Sequence, residues 1–329
     1  MTLERLQVVR ASAGDAPAIA DVMGHCGSSW KPSAAEIAKE LSTLPGHVRS
    51  HYLLGYVDGV PVAHAAVAND RYIDEPASWI VDVYVKESYQ RLGYGHEVLR
   101  ALMEWLTPVR AGQHNDGALP VLLTATVDSP AGDRFATNMG FVVRATRYVS
   151  RLDPSSVNLS RYAAIEAKVA EAGVTFTTLA AVLERERDKF THALYVLDNE
   201  TMADEPGHEG APVGFDAWRA EFIHERDSGG TIVAIHENTP IGLTIHWDEA
   251  DGILIASTGV LREWRGRGIA TALKVAGVRY ARQRGLPLRT VNSAENAPIL
   301  ALNQRIGFER CQTATKWRAD AGEVQSRLL

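Results

Sequence analysis

Two short stretches carry the residue types that seat a diphosphate. Residues 90–95 read QRLGYG and residues 265–270 read RGRGIA, and both fit Gln/Arg-x-x-Gly-x-Gly/Ala. Each lies between an apolar run and a helical pattern. The first turn of a helix has N–H groups without partners, and the macrodipole adds roughly half a positive charge there. Gly93 and Gly95 in one stretch, and Gly266, Gly268 and Ala270 in the other, keep side chains away from that turn. The loop amides, those of Arg91, Tyr94, Arg267 and Ile269 included, can then approach an anion. Gln90, Arg265 and Arg267 add side-chain donors around it. For either stretch alone the plainer reading is a glycine-rich turn with no ligand; two copies in the same setting argue against it.

Each stretch is followed, some way on, by a Gly-Phe pair, Gly140-Phe141 and Gly307-Phe308. A matched start and finish marks a duplicated domain. The chain has 329 residues, too many for one ordinary core and suited to two. The turn-rich run Asp153-Pro154-Ser155-Ser156 places the division near 154, giving domains 1–154 and 155–329 with a linker helix at about 158–172. Hydrophobic content of 46% and charged content of 22% are those of a globular protein. Asp and Glu outnumber Lys and Arg, 40 to 34, with the excess shared between the halves, so neither half offers the clustered positive charge that nucleic acid requires. The two cysteines, Cys26 and Cys311, do not occupy equivalent places and suit a reducing, cytoplasmic setting. With no long apolar run, no membrane span is expected.

The elements that would position the loops alternate in type. In the first half, strands are expected at 6–11, 52–57, 61–68, 79–85, 121–127 and 141–151. Helices are expected at 15–25, 34–44, after the loop, and at 130–138. Asp58-Gly59 marks a hairpin. The second half repeats the order: strands at 174–179, 231–235, 241–247, 253–260, 288–291 and 308–317, and helices at 184–198, 215–224, 269–283 and 297–305. The fold class is therefore α/β, two tandem domains, each a mixed, mostly antiparallel twisted sheet flanked by helices.

On the loop pattern, the element order and the Gly-Phe ending, the chain resembles the GNAT superfamily of acyl-CoA-dependent N-acetyltransferases, here as a tandem pair. The resemblance covers nearly the whole chain, and the two-copy layout is similar to that of mycothiol synthases. The resemblance implies that CoA lies on both loops. Its pantetheine arm would pair with backbone at Val83 and Val85, and at Thr258 and Val260, while Asn296, twelve residues before Phe308, would also touch CoA; the first half has Ser129 there. The second copy matches more fully and is expected to carry the better CoA site. The dinucleotide fingerprint Gly-x-Gly-x-x-Gly is not completed by GYGHEV or GRGIAT, and no Gly-Lys-Ser/Thr loop, Gly-x-Ser-x-Gly elbow, Cys-x-x-Cys pair or His-Glu-x-x-His run occurs. No metal is expected.

The implied reaction is attack of a neutral amine on acetyl-CoA or another acyl-CoA. An alkylamine has a pKa of about 10, so a base must take its proton. Asp82, three residues before Val85, is one candidate, against an ordinary strand carboxylate. The second half has Ser257 at that place; His246 and the Asp248-Glu249 pair are its nearest titratable groups, with His246 against a packed structural role. A backbone N–H near Val85 or Val260 would meet the oxyanion. The position of the family's hydroxyl acid, five residues before the final Phe, holds Ala136 and Asn303. A thiol of pKa about 8.5 can leave without that acid, and Asn303 would donate to the departing sulfur or to CoA. Tyr84 and Tyr94 are read as packing, Trp30 and Trp218 as core or pocket wall. The acceptor pocket of the second half is expected at 199–214, with Asp204, Glu205 and His208 suiting a cationic amine. The expected partner is a small-molecule amine; a peptide or protein amine, or a non-catalytic acyl-CoA sensor, stands as the alternative.

Overall fold

The computed structural model describes residues 5–28, 30–44, 46, 48–69, 78–113, 122–185, 187–206, 211–225, 229–249 and 251–329. In chain order the first elements are β1 (Gln7–Arg10), α1 (Ala16–Gly24), α2 (Ala34–Ser42), β2 (Ser50–Val57), β3 (Val60–Asn69), β4 (Ser78–Val85), α3 (Tyr94–Gln113), β5 (Leu122–Val127), α4 (Pro130–Asn138) and β6 (Val142–Leu152). Next come α5 (Ala163–Glu171), β7 (Val174–Thr178), α6 (Leu179–Arg185), α7 (Arg187–Ala203), α8 (Phe215–Glu225), β8 (Ile232–His236), β9 (Thr239–Glu249) and β10 (Gly252–Val260). The chain closes with α9 (Ile269–Arg284), β11 (Leu288–Ser293), α10 (Ala297–Ile306), β12 (Glu309–Asp320) and α11 (Ala321–Leu328).

Two compact units result, one of Met1–Thr146 with Ala314–Leu329, the other of Arg147–Thr313. They do not follow a single cut at 154, because the last strands are exchanged. Arg147–Leu152 of β6 pair with β11 of the second unit, and Thr315–Asp320 of β12 pair with β5 of the first. In the first unit the strands run β1-β2-β3-β4-β5-β12, and in the second β7-β8-β9-β10-β11-β6. All these pairs are antiparallel except β4 with β5 and β10 with β11.

Local chemistry explains the hairpins. Asp58 and Gly59 turn β2 into β3 with φ of 48° and 77°, and Glu237 and Asn238 turn β8 into β9 with φ of 46° and 64°. Positive φ at both central residues gives the turn whose twist matches the strands. In the first unit Val98, Leu99, Leu102, Met103 and Leu106 of α3 bury one face against Trp79, Val81 and Leu123. The helical spacing of those five residues is what makes that face continuous. On the other sheet face, Ile19, Val22 and Met23 of α1 and Ile37 of α2 cover Leu54, with Tyr52, Tyr56 and Tyr84 packed alongside. In the second unit α9 presents Val275, Val278 and Ala281 to Ile253, Ile255 and Leu288. Among the described residues no helix is long and apolar enough to cross a membrane.

Candidate active site

In both units the parallel central strands pair briefly and then part. β4 meets β5 only from Ser78–Ile80 against Leu122–Thr124, and β10 meets β11 only from Ile253–Ile255 against Leu288–Thr290. Beyond those residues, backbone N–H and C=O groups on the facing edges have no partner strand, and such groups need one. Val83, Val85, Thr258 and Val260 all lie in the parted segments. β10 has a register shift at Ala256 against β9, whereas β4 pairs with β3 without interruption from Trp79 to Val85.

The loops follow at the open end. Arg91 (φ 66°), Gly93 (88°), Gly266 (75°) and Gly268 (89°) are left-handed. The α3 ladder begins with the His96 and Glu97 N–H groups donating to the Gly93 carbonyl, and the α9 ladder with Ala272 donating to Gly268. The amides before those belong to the unpaired first turn. A Cβ placed at Gly93 or Gly266 would meet nothing within 4 Å, so the space over both is open, as a CoA diphosphate on the neighbouring amides would need. Gly268 faces elsewhere: a Cβ there would lie 2.9 Å from Ile165 of α5. Its glycine serves packing against that helix. Tyr94 and Ile269 are buried, so their side chains belong to the core and only their amides face the loop.

Gln90 and Arg265 share a role the sequence reading assigned to phosphate. Gln90 Nε2 donates to the carbonyls of Val85 and Cys26, each at 3.1 Å, and Arg265 Nε donates to the carbonyl of Val260 at 2.9 Å. Each pins the last strand residue to the loop. Arg265 is also tied, with Arg262, to Asp204, whose carboxyl these two guanidinium groups hold down at about 2. Arg267 lies over the Trp264 ring at 4.7 Å and donates to the Glu263 carbonyl. Asn296 caps α10 by accepting from the Ile299 N–H, as Ser129 caps α4 by accepting from Gly132.

In the first unit the parted strand carries Asp82 and Tyr84 toward α1 and α2. Asp82 pairs across to Ala66, and Tyr84 to His64, whose ring stacks on it at 6.0 Å. Asp82 is half-buried, and desolvation, with a smaller contribution from Glu40 of α2, pushes its carboxyl up to about 6. Burial likewise raises Tyr84, with Asp82, Cys26, Asp128 and Glu40 adding negative potential. His64 is buried, its Nδ1 lies 2.8 Å from the Leu53 carbonyl, and desolvation pushes it down to about 4. Ser28 donates to Asp128 at 3.1 Å, and the exposed Trp30 donates its N–H to Ser28 Oγ. Lys86, the residue after β4, donates its ammonium to Asp21. This end of the parted strands thus gathers carboxylates and aromatic rings, with the Asp82 carboxyl raised to about 6.

The second unit differs at every one of these points. Ser257 stands where Asp82 does and Gly259 where Tyr84 does. A Cβ at Gly259 would lie 2.4 Å from Thr201, so α7 fills the place of the tyrosine. His246 has 0% exposure, its Nδ1 lies 2.6 Å from the Gly230 carbonyl, and its ring is pressed against Gly277 of α9. It is a packed residue with no route to a bound amine. Glu249 pairs with Gly252 at the start of β10, eight strand residues from Val260, roughly 26 Å away. It is engaged by Arg289 through both oxygens, a structural ion pair rather than a base. Asn303 is buried and donates to Asn292 Oδ1 at 2.7 Å. Trp218, also buried, donates to Asp198 at 2.8 Å. Of the expected acceptor residues, Asp204 and Glu205 are engaged by arginines, and His208 lies outside the described residues.

A family model described as "Acetyltransferase (GNAT) family" matches residues 21–141 and again 191–308. The chain belongs to the GNAT family. It is an N-acetyltransferase built as a tandem pair. It is 23% identical over 298 residues to a mycothiol acetyltransferase of Saccharomonospora viridis, covering 85% of this chain and 83% of that one. Its fold is similar to that of a tandem GNAT protein from the clavulanic acid biosynthesis pathway, with TM-score 0.72, 21% identity, and 97% and 99% of the two chains covered. It is also similar to a GCN5-related N-acetyltransferase from Sphaerobacter thermophilus, with TM-score 0.70, 22% identity and 96% of each chain.

Several polar residues of this GNAT chain carry no signal in a motif. Glu40, Asp128 and Ser28 reach the Asp82 end only through the fold. Lys274 was visible in principle, since it shares the spacing of the buried α9 positions Val278 and Ala281.

Proposed function

We propose that the protein transfers acetyl from acetyl-CoA to a primary amine of a small, cationic molecule, and that the transfer takes place in the first unit. The observation that carries this reading is Asp82: a half-buried carboxyl beyond the parting of β4 and β5, on the face covered by α1 and α2. Near neutral pH it is ionised, yet close enough to its pKa of about 6 to accept a proton efficiently from an ammonium substrate. Glu40, Asp128, Tyr84 and Trp30 suit a cation by charge and by aromatic faces. Bound acyl-CoA supplies the activated acyl group. The amides after Gly93 hold its diphosphate, the parted β4 edge aligns its arm, and a β4 N–H faces the carbonyl oxygen where negative charge develops. Asp82 takes the amine proton, directly or through one water.

The relatives named for mycothiol and for clavulanic acid biosynthesis support a small acceptor over a peptide. The test is release of free thiol from acetyl-CoA against one panel of small primary amines and one of peptides. Thiol release confined to the small amines, and strongest for those with a second positive charge, is the expected result. Release with peptides alone, or with neither panel, overturns the reading.

A further inference from the structure

The helix that closes the chain, α11, lies beyond the second Gly-Phe pair in sequence, yet it borders the glycine loop of the first unit. Ala321, Val324 and Leu328, spaced as one helical face, join the core beneath α3. That spacing leaves Glu323 and Arg327, four residues apart, on the outer face with side chains 49% and 44% exposed. α4 meets the same rim. A Cβ on Gly95 would lie 3.4 Å from the Phe135 ring. One turn further along α4, the Asn138 carbonyl accepts from Arg327 Nη1 at 3.2 Å, and a Cβ on Gly140 would lie 2.8 Å from Arg327 Nε. The Arg327 carbonyl is in turn 3.5 Å from Nε2 of His96, in the first turn of α3. The guanidinium therefore stands between the first turn of α3 and the last turn of α4, at the edge of the turn that follows Gly93.

The second unit has a similar arrangement without the charge. Its matching carbonyl is that of Arg305, which like Asn138 stands two residues before the Gly-Phe pair. The donor there is the hydroxyl of Tyr162, the N-cap of α5, at 2.8 Å. The same helix lays Ile165 over Gly268, the counterpart of Gly93. Tying off the last carbonyls of a helix thus needs a donor and no charge. An arginine has five donors, of which Arg327 gives one to Asn138 and one to Glu323. The pair with Glu323 is exposed and worth little. Donors are left on a half-exposed side chain for an anion at the rim. CoA carries one: a ribose separates its diphosphate from the 3′-phosphate. With the arm directed into the parted strands, the nucleotide points the other way, toward this rim.

We propose that Arg327 binds the 3′-phosphate of CoA in the first unit, so that the last helix of the chain selects the phosphorylated nucleotide for the loop it borders. The proposal rests on the reading that the Gly93 loop seats the CoA diphosphate. A phosphate monoester is close to a dianion at neutral pH, and a guanidinium can meet two of its oxygens side by side. Glu323 competes for the same guanidinium, so removing its charge strengthens the contact.

The experiment uses the full chain carrying Gly266→Asp, so that the first-unit seat remains, and titrates CoA and 3′-dephospho-CoA by calorimetry. CoA is expected to bind about tenfold tighter than the dephospho form. Arg327→Gln should bring CoA to within about twofold of dephospho-CoA while leaving the dephospho form unchanged. Arg327→Lys should keep part of the preference, as a point charge does, and Glu323→Gln should widen it. A preference that survives Arg327→Gln overturns the proposal. So does an equal loss for both nucleotides in that variant, because a mere cap on α4 would act on both alike. Absence of any preference in the Gly266→Asp protein, or of any binding to it when the wild-type chain binds, overturns it as well. Binding of neither nucleotide to the wild-type chain sinks the CoA reading of the loops instead.

Discussion

Three residues before the end of its central strand the first unit has Asp82, and the second has Ser257. One residue before that end the first has Tyr84, and the second has Gly259 with Thr201 packed against it. The loops that follow are both braced by a side chain bonded to the last strand carbonyl, and each has an open glycine, Gly93 in one and Gly266, two places earlier in the pattern, in the other. Duplication has thus kept the glycine loop and its brace and let the strand end beside it diverge. The cradle is made of backbone and tolerates little change, whereas the reacting end is made of side chains that can be exchanged one at a time. A repeat in sequence therefore predicts repeated backbone far better than repeated side chains.

The comparison breaks first at Asp82. Asp82→Asn should lower kcat by about 10²–10⁴-fold while leaving acetyl-CoA affinity within about twofold, and Ser257→Ala should leave kcat unchanged, by steady-state kinetics. A base removed from the transition state lowers turnover without loosening the cofactor. Equal losses in both variants would erase the distinction between the units.

The shared cradle is the next point of attack. Asp tolerates left-handed backbone better than most residues, so Gly93→Asp and Gly266→Asp should fold, and each should remove one calorimetric CoA site or weaken it by about tenfold or more through repulsion of the diphosphate. Gly→Asn at the same places, with equal size and no charge, should retain most of the binding. The Gly268 position is unsuited to this test, since a side chain there strikes α5.

Smaller effects sharpen the contrast. Gly259→Ala should destabilise the second unit by about 1–3 kcal/mol, because its Cβ collides with Thr201, and should leave turnover in the first unit intact. The raised Asp82 carboxyl has a stability signature as well. Its folded pKa of about 6 exceeds the unfolded value of about 3.9, so the native state binds the proton more tightly and stability falls as pH rises from about 4 to about 6. Asp82→Asn should remove that loss, on the order of 1–2 kcal/mol, by denaturant melts at the two pH values. Smallest of all, His246→Ala should change kcat by less than about twofold, because the ring is sealed against Gly277.

Much of this architecture was legible in the sequence, for identifiable reasons. Strand periodicity, the Asp58-Gly59 turn and the two glycine loops are local, and the structure places them within a few residues of the expected spans. The exchange of β6 and β12 was not legible, since nothing within either strand says which β-edge it will join. The same exchange hid α11, which packs on α3 of the first unit from the far end of the chain. At the site, position relative to a motif singled out Asp82 as a candidate base, and that residue lies in the parted segment of β4, while His246 and Glu249 were chosen as the nearest titratable types in a half that has no acid at that place. Register decides both: His246 opposite Ile255 points into the α9 core, and Glu249 lies at the wrong end of β10. Gln90 and Arg265 were given to CoA on residue type and Asn296 on the family resemblance, yet a donor or acceptor beside an unpaired strand end or helix start finds backbone first.

The pH dependence of kcat/KM for acetyl transfer to a small amine tests Asp82 most directly as the proposed base of the first unit. The wild-type profile should rise with pH through an apparent pKa of about 6, and the Asp82→Asn profile, at its much lower level, should lack that limb. An unaltered limb in the Asp82→Asn protein would place the base elsewhere and contradict the assignment.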